Sequence, residues 1–207
     1  MDELQKILET AEVLFRKYGI RSVTMSDIAR QLGISKKTLY VHIENKNDLI
    51  NKIMAAYIGM ETEMCNIACD NAKDALDEMI EISLQVQQNI QNMNPSLIFD
   101  LRKYHYPIWE QFELFRTHFI LDMMRNNLDR GQKEGLYRSE LKPDIVSRLY
   151  IGTVQLFTDD EMFPADAYPR DVLHKEMVMY HLNGIVSEQG KSLLNTYIQR
   201  LNNHSIS

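Results

Sequence analysis

The chain has 207 residues, a formal net charge of −6, 44% hydrophobic and 25% charged residues. That leaves room for one large domain, or a small one plus a medium one, around a substantial buried core, and it argues against a protein coated in nucleic acid. No apolar run approaches the about 18–20 residues that cross a bilayer, and the acidic, amphipathic start Met1-Asp2-Glu3-Leu4 is unlike a signal peptide, so a cytoplasmic protein with no membrane partner is expected.

In chain order, helical spacing dominates and alternation with period two is scarce. Leu4, Ile7, Leu8, Ala11, Phe15 and Tyr18 form a first stripe, closed by Gly19. Met25, Ile28, Ala29 and Leu32 form a second, closed by Gly33, and residues 35–43 make a short third helix. Leu49, Ile53, Ala56, Tyr57, Met60 and Met64 line a longer fourth, and Ala72, Ala75, Leu76, Met79, Ile80, Ser83 and Ile90 a fifth. Pro95 opens a segment to about Tyr106, and Pro107 restarts the chain. Ile108, Phe112, Phe115, Phe119, Met123 and Leu128 then line a long helix ending near Gly131–Gly135. Helices follow from about Pro143 to Thr158, from Arg170 to Ser187 and from Lys191 to Leu201, with a proline-bearing loop over 159–169. The expected fold is all-α with about ten helices: a three-helix N-terminal domain over 1–46 and a larger helical domain over 47–207.

Charge is unevenly spread. Arg16–Lys46 holds seven basic and two acidic residues, a local charge of +5, which leaves −11 for the remainder. A compact basic island on an acidic body points to one electrostatic docking face. Within it, Thr24-Met25-Ser26-Asp27 has the form of a capping box. Ile28, Ala29 and Leu32 turn inward, Gly33 supplies a left-handed turn residue, Ile34 plugs the turn and Ser35 caps the next helix. Two helices joined by a short glycine-containing turn are a helix-turn-helix. In the second of them Leu39 and Ile43 face the core, which leaves Ser35, Lys36, Lys37, Thr38, Tyr40 and His42 outside. Its first turn is rich in cationic and hydrogen-bonding groups, as a helix that meets base edges in the major groove requires. Asn45 caps the following helix with Asp48, and Lys46 lies in its first turn. A cation there opposes the helix dipole, and a nearby phosphate would compensate it.

Gly19, Thr24, Ile28-Ala29, Gly33-Ile34-Ser35, Thr38-Leu39-Tyr40, His42, Lys46 and Leu49, at these spacings, resemble the DNA-binding signature of the tetracycline-repressor (TetR) family over roughly residues 7–50. Lys37 departs from it where a small residue, often Gly, is common, and Ile43 replaces a usual Phe. The resemblance implies an all-helical homodimer on a palindromic double-stranded DNA operator, with a C-terminal domain whose unknown small-molecule effector relaxes binding. By position, Tyr40 and Lys46 would touch phosphates, with Thr24 and Thr38 as further candidates, and Lys36 and Lys37 would face the groove. His42 either supports Tyr40 or reads a base. The alternative is an architectural DNA-binding protein with no effector.

Beyond residue 50 the resemblance fades. The helix Ile145–Phe157 is apolar round most of its circumference, which a surface helix needs only if both sides are covered. Ile145, Leu149, Gly152 and Leu156, with Met177, Tyr180, His181 and Gly184 of the next helix, are candidates for a dimer interface between copies. Tyr104, His105, Trp109, Phe112, Phe115 and Met123, joined by Met64, could line an effector pocket, although rings and methionines at helical spacing also make core. His174 and His181 stand about 10.5 Å apart along a helix, too far for one ion, so no metal and no cofactor are expected. Cys65 and Cys69 make no disulfide framework; they are either small apolar residues on a helix face or a thiol sensor. HExxH, GxSxG, a P-loop and Rossmann glycines are all missing, so the chain is not expected to be an enzyme.

Overall fold

The computed structural model describes residues 2–91, 95–156, 159, 161–164 and 166–203. Among these residues the secondary structure is helical: α1 (Glu3–Tyr18), α2 (Met25–Leu32), α3 (Lys36–His42), α4 (Lys46–Asn71), α5 (Ala75–Gln91), α6 (Pro95–Tyr104), α7 (Tyr106–Phe115), α8 (Leu121–Lys133), α9 (Pro143–Leu156), α10 (Arg170–Ile185) and α11 (Glu188–Asn203). A π-helical turn, Arg116–Ile120, joins α7 to α8 without a break. Counted as continuous rods, the described residues hold the expected ten helices. Phe157 and Thr158, expected at the end of α9, lie outside the described residues. None of the described helices is long and apolar enough to cross a membrane.

By packing, the chain forms two units. One comprises Met1–Thr62 and Asn92–Phe115, the other Glu63–Gln91 and Arg116–Ser207. This differs from the division at residue 46 read along the sequence. α4 is shared by both units, and α6 and α7 pack with the N-terminal helices.

In the first unit Ile7, Ala11 and Phe15 put one face of α1 against Ile28 and Ala29 of α2, Leu39 of α3 and Leu49 of α4. Leu101 of α6 and Ile108 and Trp109 of α7 complete this core from far along the chain. So Trp109, a candidate for an effector pocket, is 6% exposed and packs as a core residue of the first unit.

The second unit is organised around α5, whose Leu76, Met79, Ile80 and Leu84 pack with Met124 and Leu128 of α8, Val178 and Leu182 of α10 and Leu194 of α11. Tyr137 pins it from inside. Its hydroxyl lies 2.9 Å from the Ala75 carbonyl and 3.0 Å from Asn127 Oδ1. Asn127 Nδ2 donates to the same carbonyl at 2.9 Å, so the buried polar atoms satisfy one another. The Tyr137 ring lies against Gly131; a Cβ there would come within 2.0 Å of it. At the α5 N-terminus Arg130 bridges Glu78 (3.0 Å) and Glu134 (2.8 Å). Cys65 is buried, and the Cys69 thiol is pushed up to about 12 by burial and by the Glu78 carboxylate, to which it donates at 3.4 Å. The thiolate that a redox sensor needs is therefore disfavoured.

Candidate nucleic-acid interface

The helix-turn-helix is assembled by local hydrogen bonds. Thr24 Oγ1 accepts from the Asp27 amide at 3.2 Å, and the Asp27 carboxylate accepts from the Thr24 amide at 2.9 Å and its hydroxyl at 2.6 Å. These bonds from Thr24 hold the Asp27 carboxyl below its ordinary value, and Arg30 pairs with it. Gly33, with φ +68°, occupies the left-handed region that ends α2 and reverses the chain. Ser35 Oγ then accepts from the Thr38 amide at 3.1 Å and lies 2.9 Å from Thr38 Oγ1. Replacing Thr24 by Ala is expected to lower stability by about 1 kcal/mol, read as a shift in the urea midpoint; an unchanged midpoint would show that the cap does not hold α2 in the folded protein.

α3 rests on the core through Leu39, with Ile43 just beyond its end. Ser35, Lys36, Lys37 and Tyr40 are exposed, and Thr38 and His42 are half-buried. Lys36 and Lys37 make no ion pair among the described residues. His42 Nε2 lies 3.2 Å from Glu3 Oε2 of α1, a contact internal to the unit. Sequence reading passed over one outward residue: Val41 is 74% exposed. The signal was available, since Leu39 and Ile43 fix the inward face and residue 41 falls between them on the other side, but an apolar residue invites assignment to the core.

Lys46 is the principal departure from expectation. Its ammonium turns inward and donates to the Ile20 and Val23 carbonyls, each at 2.5 Å. Partial burial pushes it below its ordinary value, opposed by the carboxylates of Asp100 and Asp27. Two of its three donors thus tie the α1–α2 turn to the start of α4, a helix that Asn45 caps by accepting from the Asp48 amide at 3.0 Å. Lys46→Met, which keeps the stem, is expected to cost about 2 kcal/mol and to lower the melting temperature by about 4–8 °C. If the melting temperature stays put while the salt dependence of DNA binding falls, Lys46 acts on phosphate alone.

α6 fastens the same turn from the other side. Asp100 Oδ2 accepts from the Arg21 amide at 3.1 Å. The Arg21 guanidinium lies 4.6 Å from the Tyr104 ring centre and donates to its hydroxyl at 3.1 Å. His105 sits half-buried nearby, its basicity lowered by burial and by the Lys46 charge. Tyr104, a candidate for an effector pocket, therefore supports the α1–α2 turn, and His105, another, lies between α6 and α7 of the same unit. Phe112 joins Trp109 (5.4 Å), Tyr57 (6.1 Å) and Phe115 (6.4 Å) in an aromatic row of the same unit. Met64 and Met123 belong to the other unit, where Met123 packs against the core.

In the second unit, α9 and α10 each bury one face and leave another bare. Ile145 and Leu149 are 52% and 66% exposed, and Leu156 is also exposed. On α10 Tyr180 is 82% exposed, while Met177 and His181 are half-buried, with the Tyr150 ring of α9 tilted against His181 at 4.7 Å between ring centres. Gly152 and Gly184 have open space where a Cβ would stand. The eight candidate interface residues thus fall on two adjacent helices of one protomer, most of them turned to solvent.

No three His, Cys, Asp or Glu side chains among the described residues are grouped to hold a metal ion. The fold and this basic, capped two-helix motif define a helix-turn-helix DNA-binding protein. Residues 7–53 match the family model described as bacterial regulatory proteins, tetR family. Over its length the chain is 25% identical, across 187 residues, to the uncharacterized HTH-type transcriptional regulator YvaF of Bacillus subtilis, covering 89% of this chain and 96% of YvaF. In fold it is similar to SmeT, the repressor of the Stenotrophomonas maltophilia multidrug efflux pump SmeDEF, with TM-score 0.70, 17% identity, and coverage of 91% of this chain and 92% of SmeT. The ketosteroid regulator KstR2 of Mycobacterium tuberculosis is similar at TM-score 0.61 and 19% identity, covering 90% of this chain and 96% of KstR2. Residues 7–53 thus match the DNA-binding region of the tetR family of bacterial regulatory proteins, and the relatives matched over most of the chain are described as transcriptional regulators.

Proposed function

We propose that the protein is a homodimeric repressor that grips a palindromic operator and lets go when a small molecule binds its C-terminal unit. The observation that carries this reading is the pairing of two bare surfaces in one chain. α3 presents unpaired lysines on a helix anchored by Leu39, and α9 and α10 present an apolar stripe. One recognition helix holds DNA weakly; two related by a two-fold axis meet half-sites about 34–36 Å apart, or at another spacing set by the protein. Thr24, Ser35, Thr38 and Tyr40 would hold phosphates, Lys36 and Lys37 would enter the groove, and Lys46 and His42 would hold the frame.

Release needs an element that both units share, and α4 is one. A ligand shifts the equilibrium only by its differential affinity for the two states, with coupling of about 1–3 kcal/mol. SmeT, which has this fold, forms a complex with triclosan, and its example supports a hydrophobic effector here. Of the candidate effector residues, Met64 and Met123 belong to the C-terminal unit.

The test is a mobility shift on promoter fragments, followed by titration of a ligand found by thermal shift, with and without operator. Coupling is reciprocal, so the operator must weaken the ligand by the factor by which the ligand weakens the operator. Equal ligand affinities in the two titrations sink the inducer reading; absence of any shifted fragment sinks the repressor reading.

A further inference from the structure

α3 has one face directly opposed to its anchor. At about 100° per residue, Lys37 and Val41 each lie about 160° round the helix from Leu39, which is fully buried. They are neighbours, one turn apart, and both are exposed. Lys36 and Tyr40 flank them on one side and Thr38 on the other. When such a helix enters a groove, the residues opposite the anchor go deepest and the flanking ones meet the strands.

The chemistry of the pair is specific. Val41 is β-branched, a poor choice for a helix position in water, and at 74% exposed it gains nothing from burial within the protomer. Lys37 has no carboxylate partner among the described residues. In the major groove, an apolar side chain pairs with the thymine methyl and a lysine with guanine O6 and N7. Four residues of helix rise by about 6 Å, against about 3.4 Å for each nucleotide step along a strand.

We propose that Lys37 and Val41 read the operator as a pair: Lys37 a guanine, and Val41 the methyl of a thymine about two base-pair steps away, in each half-site. This rests on the reading of the protein as a sequence-specific DNA binder.

The test selects duplexes from a random-sequence library with the full-length wild type, then measures affinity for the selected duplex with single bases altered. Deoxyuridine in place of the contacted thymine removes only its methyl. It is expected to weaken the wild type about fourfold per half-site, the worth of one buried methyl, and to weaken Val41→Ala by clearly less. 7-Deazaguanine at the contacted guanine is expected to weaken the wild type about fivefold or more, and Lys37→Gln by far less. Both side chains are exposed, so both variants should fold. The proposal is overturned if uracil weakens wild type and Val41→Ala alike, or neither, at every selected thymine. It is also overturned if 7-deazaguanine weakens Lys37→Gln as much as the wild type. Selection of no sequence at all by the wild type would defeat the underlying reading as well, a result separable from the others.

Discussion

Acidification from pH 7.5 to 4.5 is expected to destabilise the second unit by about 2–3 kcal/mol through His174 alone. Its imidazole is 3% exposed on α10, and burial lowers it from 6.5 to about 4. The unfolded chain binds the proton at an ordinary pH and the folded one resists it. The unfolded state therefore holds more protons between pH 6.5 and 4, and stability is full above 6.5 and falls as pH drops through that window. His181, likewise lowered to about 4 by burial, adds to the effect. Its contribution is smaller because the residue as a whole is only half-buried and solvent screens part of the charge. Urea unfolding followed across this pH range would measure the slope. Carboxylates also lose stabilising interactions in acid, so the diagnostic comparison is with His174→Gln, which should flatten the curve between pH 6.5 and 4.5. An unchanged slope in that variant would mean that His174 is protonated without cost in the folded protein.

The second large effect concerns assembly. Gly152→Arg is expected to raise the dissociation constant of the proposed dimer by at least about 100-fold. Within the protomer this change is tolerated. A Cβ at residue 152 meets nothing within 4 Å, and replacing glycine in a helix favours the helix by up to about 1 kcal/mol. Any loss therefore reports a partner surface. In a two-fold interface each copy would bring its own guanidinium into an apolar stripe, placing two uncompensated charges close together. Leu149→Lys, at a position 66% exposed, should act alike. Light scattering at micromolar concentration gives the mass directly. A monomeric wild type, or variants as dimeric as the wild type, would rule out this face as the interface. Loss of the dimer should also weaken operator binding, since each half-site would then be held alone.

Much of the DNA-binding motif was legible before any coordinates. The Thr24–Asp27 box, the left-handed Gly33, the Ser35 cap and the inward Leu39 depend on residues at most four apart, and each is present as anticipated. The exposed character of Ile145, Leu149 and Gly152 followed from a helix apolar on too many sides for one core to cover. The π-helical turn at Arg116–Ile120 had no such signature. It contains neither Pro nor Gly, and the structure gives no local residue that accounts for its i→i+5 pattern.

The aromatic cluster at Tyr104–Trp109 was visible as a cluster but not as to its use. Spacing can say that rings share a helix face; it cannot say which other segment covers them. Here Leu101, Ile108 and Trp109 join a core built by residues 7–50, and Tyr104 stacks on Arg21, 83 residues earlier. The same limit applied to Lys46. A first-turn cation facing phosphate is a sound local inference, but its hydrogen-bond acceptors are carbonyls 26 and 23 residues back along the chain.

The line between the two falls at the range of the forces. Helix limits, caps and the left-handed turn are governed by backbone hydrogen bonds and side chains within one turn, so residue order alone settled them, together with the basic island and the family signature. The partner of Lys46, the core role of Trp109 and the depressed basicity of His174 depend on which distant side chains exclude water. That became definite only when α6 and α7 closed on the first unit and α10 packed on α5, because burial is a property of the packed ensemble and not of neighbours in sequence.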